Sequence, residues 1–143
     1  MAFANGTVLT SIGKAVVANI VAGVNTTALP KYLAIGTGAT TAGGPGRTAA
    51  VGDLSLTTEV ETRATCTLST VTTTNPNDTF KAVGTVTATT SRTVDECMTN
   101  TNASGTSNNT ATGVGIFVSA TLSPTVGLNT GDSVQITTQV QFT

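Results

Sequence analysis

The sequence contains no histidine and no tryptophan, only five aromatic residues, and six basic and seven acidic side chains in 143 residues. Without histidine there is no Ser-His-Asp or Cys-His nucleophile and no histidine-ligated metal. Two cysteines, Cys66 and Cys97, are too few for a structural zinc site of their own. Catalysis would have to run on seven carboxylates, three lysines and three arginines. The reading is therefore of a protein that is not an enzyme, with no catalytic, cofactor-binding or metal-binding residue. A net charge of −1 denies the chain the basic face that nucleic acid demands. No basic run addresses an anionic membrane surface. No stretch approaches the ~20 consecutive apolar residues of a membrane span.

Charged residues make up 9% of the chain, against roughly 25% in an average globular protein. A nearly neutral, sparsely charged surface favours association. Two readings stay open: a surface kept soluble by Thr, Asn and Ser, or a subunit largely covered by partners. Hydrophobic residues reach 38% and mean hydropathy is +0.22, enough for a core. The length suits one domain, residues 1–143. Threonine, roughly a quarter of the residues, and valine are β-branched and fit a pleated strand.

Residues 8–23 place apolar side chains at Val8, Leu9, Ile12, Val16, Val17, Ile20 and Val21, a helical period. Thr10 or Ser11 can cap its start and Gly23 can close it in a left-handed conformation. A signal peptide is the rival reading, but Lys14 is the only early positive side chain and Asn19 interrupts the apolar run. After Pro30 the period changes. KYLAIGT reads as a strand, as do 60–71, 79–89, 93–97, 113–122 and 132–142, with a turn at 74–78 and a polar loop over 98–112. In 60–71, Val60, Ala64, Cys66 and Leu68 share one face. One helix followed by about six strands predicts a mainly β protein, an antiparallel β-sandwich with one N-terminal α-helix. Its expected core is Leu9, Ile12, Val16, Ile20, Leu33, Ile35, Leu68, Val83, Val86, Ile116, Val118, Ile136, Val140 and Phe142.

The Gly-rich loop 38–53 invites a phosphate-binding reading. A dinucleotide fingerprint needs G-x-G-x-x-G entering a helix. Gly36 and Gly38 supply two glycines, Thr41 takes the third place, and Gly43, Gly44 and Pro45 forbid a helix. A P-loop ends in Gly-Lys-Ser/Thr, and here Gly46, Arg47 and Thr48 stand instead. The loop reads as a surface turn in which Gly36 and Gly38 let the chain leave the sheet. Asp95 and Glu96 are neighbours on a strand and point to opposite faces, which does not make an acid–base pair. Glu59, Glu61 and Arg63 share a strand face, and a structural ion pair, of little worth if exposed, is the expected use. Five N-x-Ser/Thr triplets, at Asn5, Asn25, Asn77, Asn102 and Asn108, follow from composition. A disulfide between Cys66 and Cys97 is left open.

The order of features resembles a group of small tailed-bacteriophage virion proteins. TSIGKAVVANIVAG is followed by KYLAIGTGAT and, after a variable loop, by DLSLTTEVETRAT. The second half carries TVDEC, residues 93–97, and ends in ATLSPTVGLNTGDSVQITTQVQF, residues 120–142. Gly36, Gly38, Glu59, Arg63, Glu96, Gly131 and Asp132 stand at the motif positions. Where many relatives continue after the Glu with an apolar Gly-Leu-Phe-like segment, this chain has Cys97, Met98 and a polar insertion.

The resemblance implies a structural role in the virion. The favoured reading is a capsid decoration or cement protein on the outer surface of the capsid, bound to the major capsid protein. It would act as a homo-oligomer, a trimer by preference. A tail, baseplate or fibre subunit is the alternative, and a host-surface carbohydrate-binding module a distant third. No cofactor, nucleic acid or membrane enters this reading. The segment MAFANG and the loop 38–53 are the expected contacts with the shell, ordering on binding.

Overall fold

The computed structural model describes residues 2–24, 29–38, 55–103, 109–110 and 114–143. Their order is β1 (Ala2–Leu9), α1 (Ser11–Val21), β2 (Tyr32–Thr37), β3 (Thr58–Thr65) and β4 (Thr67–Val71). Then come β5 (Thr79–Thr87), β6 (Arg92–Asn100), β7 (Asn109–Thr110), β8 (Val114–Leu128) and β9 (Ser133–Gln141). The strands form two antiparallel sheets packed face to face, a β-sandwich with one short helix near its N-terminus. One sheet runs β3-β2-β6-β8-β1 and the other β9-β5-β4, with β7 paired to β8.

β1 joins the two sheets. Ala4 to Leu9 pair antiparallel with β8, while Ala2 and Phe3 pair parallel with Ile136 and Thr137 of β9. This corrects two expectations. The helix spans 11–21, not 8–23, and residues 2–6 of the segment MAFANG lie in a strand without waiting for a partner. The backbone groups of β1 find neighbours in both sheets, which holds a strand containing Asn5 and Gly6, residues disfavoured in strands.

Thr10 makes the transition from strand to helix. Its hydroxyl oxygen accepts from the Gly13 amide at 2.9 Å and the hydroxyl donates to the Ile116 carbonyl. Its own amide donates to the Phe117 carbonyl at 3.1 Å. The helix is thus capped and tied to β8 by one residue. At the far end Gly23 adopts φ +69°, as the sequence suggested. Its amide donates to the Ile20 carbonyl and that of Val24 to Asn19, a Schellman closure. Ile12 and Val16 are buried against Phe117 and Val118, each worth about 1.5–3 kcal/mol.

The main core lies between the sheets. Leu33, Ile35, Val94 and Cys97 meet Val86, Val134 and Ile136 there. At Gly84 the sheets touch: a Cβ would lie 2.9 Å from Leu33 Cβ and 3.0 Å from Cys66 Sγ. A hydrogen bond of 2.9 Å links the buried Thr99 and Thr138 hydroxyls across the layers. Two residues expected inside are not: Ile20 is 50% exposed and Phe142 44%. Leu9, Leu68, Val83 and Val140 are only half-buried.

Three strand boundaries also differ from expectation. The run 60–71 breaks at Cys66, whose amide donates to the Lys31 carbonyl at 2.7 Å. β3 stays in one sheet and β4 enters the other, because the chain turns a corner while its alternation continues. Of the expected polar loop 98–112, residues 98–100 belong to β6, where Met98 and Asn100 are buried. The strand begun near 113 runs on to Leu128.

The turn between β4 and β5 is organised by Asp78. Its carboxylate accepts from the amides of Thr73, Thr74 and Asn75 at 2.9–3.0 Å, and from the Thr73 hydroxyl and the Gln141 side-chain amide. These bonds, the Asn75 amide foremost, hold the carboxyl well below its ordinary 3.8. A carboxyl depressed in the folded state stabilises it above the unfolded value, and the contribution is lost as pH falls through and below about 3.8. Urea unfolding at pH 7 and pH 3 tests this. The wild-type midpoint should fall on acidification. Asp78→Asn should start lower and fall less, and an unchanged pH 7 midpoint in the variant would contradict the assignment.

Candidate functional site

Three of the positions that carried the resemblance, Gly36, Gly38 and Glu96, meet around the two ends of the Gly-rich segment. β2 and β6 pair antiparallel with Gly36 opposite Glu96. Gly36 is not there to turn the chain. A Cβ on it would lie 2.7 Å from Glu96 Oε1 and 2.9 Å from both Glu96 Cγ and the Thr58 carbonyl. The missing side chain makes room for the carboxylate. Gly38, with φ +99°, does turn, and its amide donates to Asp95 Oδ2 at 3.2 Å.

Glu96 is fully buried. Its Oε1 accepts from the amides of Thr57 and Thr58, and Oε2 from the Thr57 hydroxyl at 3.2 Å. Asp95 therefore holds the chain where it leaves β2, and Glu96 holds it where it enters β3. Two adjacent carboxylates, unsuited to acid–base work, act as paired clasps. Residues 39–54, most of the expected contact loop, lie outside the described residues.

On β3 the bidentate pair Glu59–Arg63 forms as expected, at 2.6 and 2.8 Å, and Arg63 also donates to the Asn102 carbonyl at 2.9 Å. It is not an exposed pair: the Arg63 side chain is almost completely buried. Glu61 does not share it. The register of β3 on β2 shifts between Leu33 and Ile35, and Glu61 adopts φ +64°. The irregularity aims Glu61 at the amide and hydroxyl of Thr89 and at Arg92 Nη2, 2.8 Å away. Burial works to raise this carboxyl, and the Thr89 bonds and the Arg92 charge outweigh it, leaving it lowered.

Gly131 and Asp132 close the turn between β8 and β9. Gly131 has φ +89°, and Asp132 Oδ2 accepts from the Asn129 amide at 2.8 Å. Backbone bonds of 2.8 Å tie both residues to Ala88 at the end of β5. Cys66 and Cys97 are free buried thiols, so the bond left open by the sequence is not formed. Cys66 lies at the corner between β3 and β4, and Cys97 on β6. Burial pushes Cys66 up to about 11, and burial with the Glu96 charge pushes Cys97 up to about 12. Neither is a nucleophile near neutral pH.

Among the described residues no three His, Cys, Asp or Glu side chains gather as metal ligands, and no helix is long and apolar enough to cross a membrane. Phe80 and Phe117 pack edge to face, with centroids 4.9 Å apart, instead of forming a flat platform. The described residues also form an open apolar groove of about 400 Å³. It lies between the second half of α1, Leu29–Pro30, β4 and Phe142. Sequence reasoning missed Thr57, Thr58 and Asn102 as partners, since apart from the Thr57 hydroxyl they contribute backbone groups that any residue carries. It missed the groove because periodicity marks apolar residues without saying what covers them. No protein-family model, curated protein or solved structure matches the chain.

Proposed function

We propose that this chain is a structural protein of a tailed-bacteriophage particle, a decoration or cement protein on the outer surface of the capsid that binds and stabilises the shell. One observation supports this reading most: Gly36, Gly38 and Glu96, three of the residues behind the resemblance, converge on the ends of the segment between β2 and β3 and are consumed in holding it, while Glu59 and Arg63 pair with each other and Arg63 with the Asn102 carbonyl. Glu96 and Arg63 are buried and hydrogen-bonded, so their chemistry is spent on shape. A cement protein needs a rigid, shape-matched surface spanning at least two shell subunits, with satisfied polar contacts and an apolar centre. A sandwich rich in Thr and Val offers that without long charged side chains, whose ordering costs rotamer entropy.

In this reading the subunit acts as a homo-oligomer, three copies over a local symmetry axis, so that joined copies rebind together. The contact falls to loop 38–53, presented by its clasped ends. Copy number in purified particles tests the placement. A count on the order of hundreds fits the capsid surface, whereas tens or fewer fit a tail, baseplate or fibre part. Absence from the particle would overturn the virion role.

A further inference from the structure

The apolar groove calls for an occupant. Val21 is 82% exposed and Leu29 55%, and with Ile20 and Phe142 they form one rim. Together these residues expose on the order of 400 Å², the scale of the largest apolar patch on an ordinary monomer, which is often an interaction site. A stable interface takes about 800 Å² from each partner, so this patch can supply about half of one.

We propose that the groove is a self-association surface and that its occupant is a second copy of this chain. Two observations favour a copy over a foreign partner. No charged side chain lines the groove. A face meets its own copy without repulsion only when it carries no net charge, whereas recognition of a different protein draws specificity from charged or polar handles. The second observation is the strand at its border. β4 ends its sheet and contributes Leu68, Ser69 and Thr70 to the groove. Its sequence, TLSTV, has no charge and no proline. Open edges are ordinarily blunted by such residues. β3, the terminal strand at the other end, carries Glu59, Glu61 and Arg63. Among the described residues the edge beside the groove is the one left suited to pairing, and it is continuous with the apolar patch, so one contact would cover both.

The inference does not depend on the virion role, because it is measured on the isolated full-length chain. Light scattering after gel filtration, over a range of concentration, should give a mass that is a multiple of 14.2 kDa. Val21→Asp and Leu29→Asp should each shift that mass to the monomer, with unfolding midpoints close to that of the monomeric chain. Thr125→Asp, on an exposed stretch of β8, should leave it unchanged. Two or three copies both satisfy the proposal, and two would replace the threefold arrangement proposed above. A wild-type monomer at every concentration would overturn it. So would an oligomer that survives both groove substitutions.

Discussion

Replacing Glu96 with alanine should destabilise the protein by about 3–5 kcal/mol, since each donor left without its acceptor costs about 1–3 kcal/mol. Against a total stability of about 5–15 kcal/mol for a domain, that is a large fraction. The side chain is fully buried and serves three donors on the segment entering β3. Its removal also leaves a void over Gly36, which has no side chain to fill it. Both amide bonds land on the same oxygen, Oε1. Glu96→Gln can therefore keep them and should cost only about 1–2 kcal/mol, the loss of charge assistance.

Gly36→Ala should destabilise the wild type and do so much less in the Glu96→Ala background, since the added methyl would then occupy vacated space. Chemical unfolding of the four variants measures the coupling. Glu96→Ala within 1 kcal/mol of wild type would contradict the clasp.

Gly13→Ala should also destabilise, against the helix propensity that favours alanine by about 1 kcal/mol. A Cβ at this position would fall 2.3 Å from the Phe117 carbonyl oxygen and 2.7 Å from Leu9 Cδ1. The oxygen belongs to β8, which is held by β1 on one side and β6 on the other, so the strand cannot yield. The helix must lift instead. That strains the Thr10 bonds to Ile116 and Phe117 and opens the packing of Ile12 and Val16. Overpacking of this kind costs about 1–3 kcal/mol, and here it outweighs the propensity gain. Thermal unfolding reads the result. Ala18→Gly, on the exposed side of α1, should lose only about 1 kcal/mol. A Gly13→Ala protein as stable as wild type would mean that the helix does not sit this close.

Much of the architecture was readable because it is written locally. The 3.6-residue period, Thr10 and Gly23 located the helix, and alternation located β5 and β9. What escaped was set by distant parts of the chain. β1 contains Asn5 and Gly6, which disfavour strands, and it is a strand because β8 and β9 leave a slot with open hydrogen-bonding groups on both sides. Glu61 obeys no alternation because the register shift in β3 turns it toward Thr89 and Arg92. Gly36 looked like a turn residue, yet its reason is the carboxylate of Glu96 on the neighbouring strand. Ile20 and Phe142 fit apolar periods and still face outward, since a period tells which residues share a face and not whether that face is covered. The clasp was half legible: its glycines and acids were singled out, and their convergence required the pairing of β2 with β6.

The most direct measurement of the proposed role compares particles assembled with and without this protein, heated at low and at high salt while DNA release is followed. If the protein cements the shell, particles carrying it hold their DNA to a higher temperature. With charged side chains so scarce, that margin should be nearly the same at both salt concentrations. Release at the same temperature with and without the protein would contradict the account.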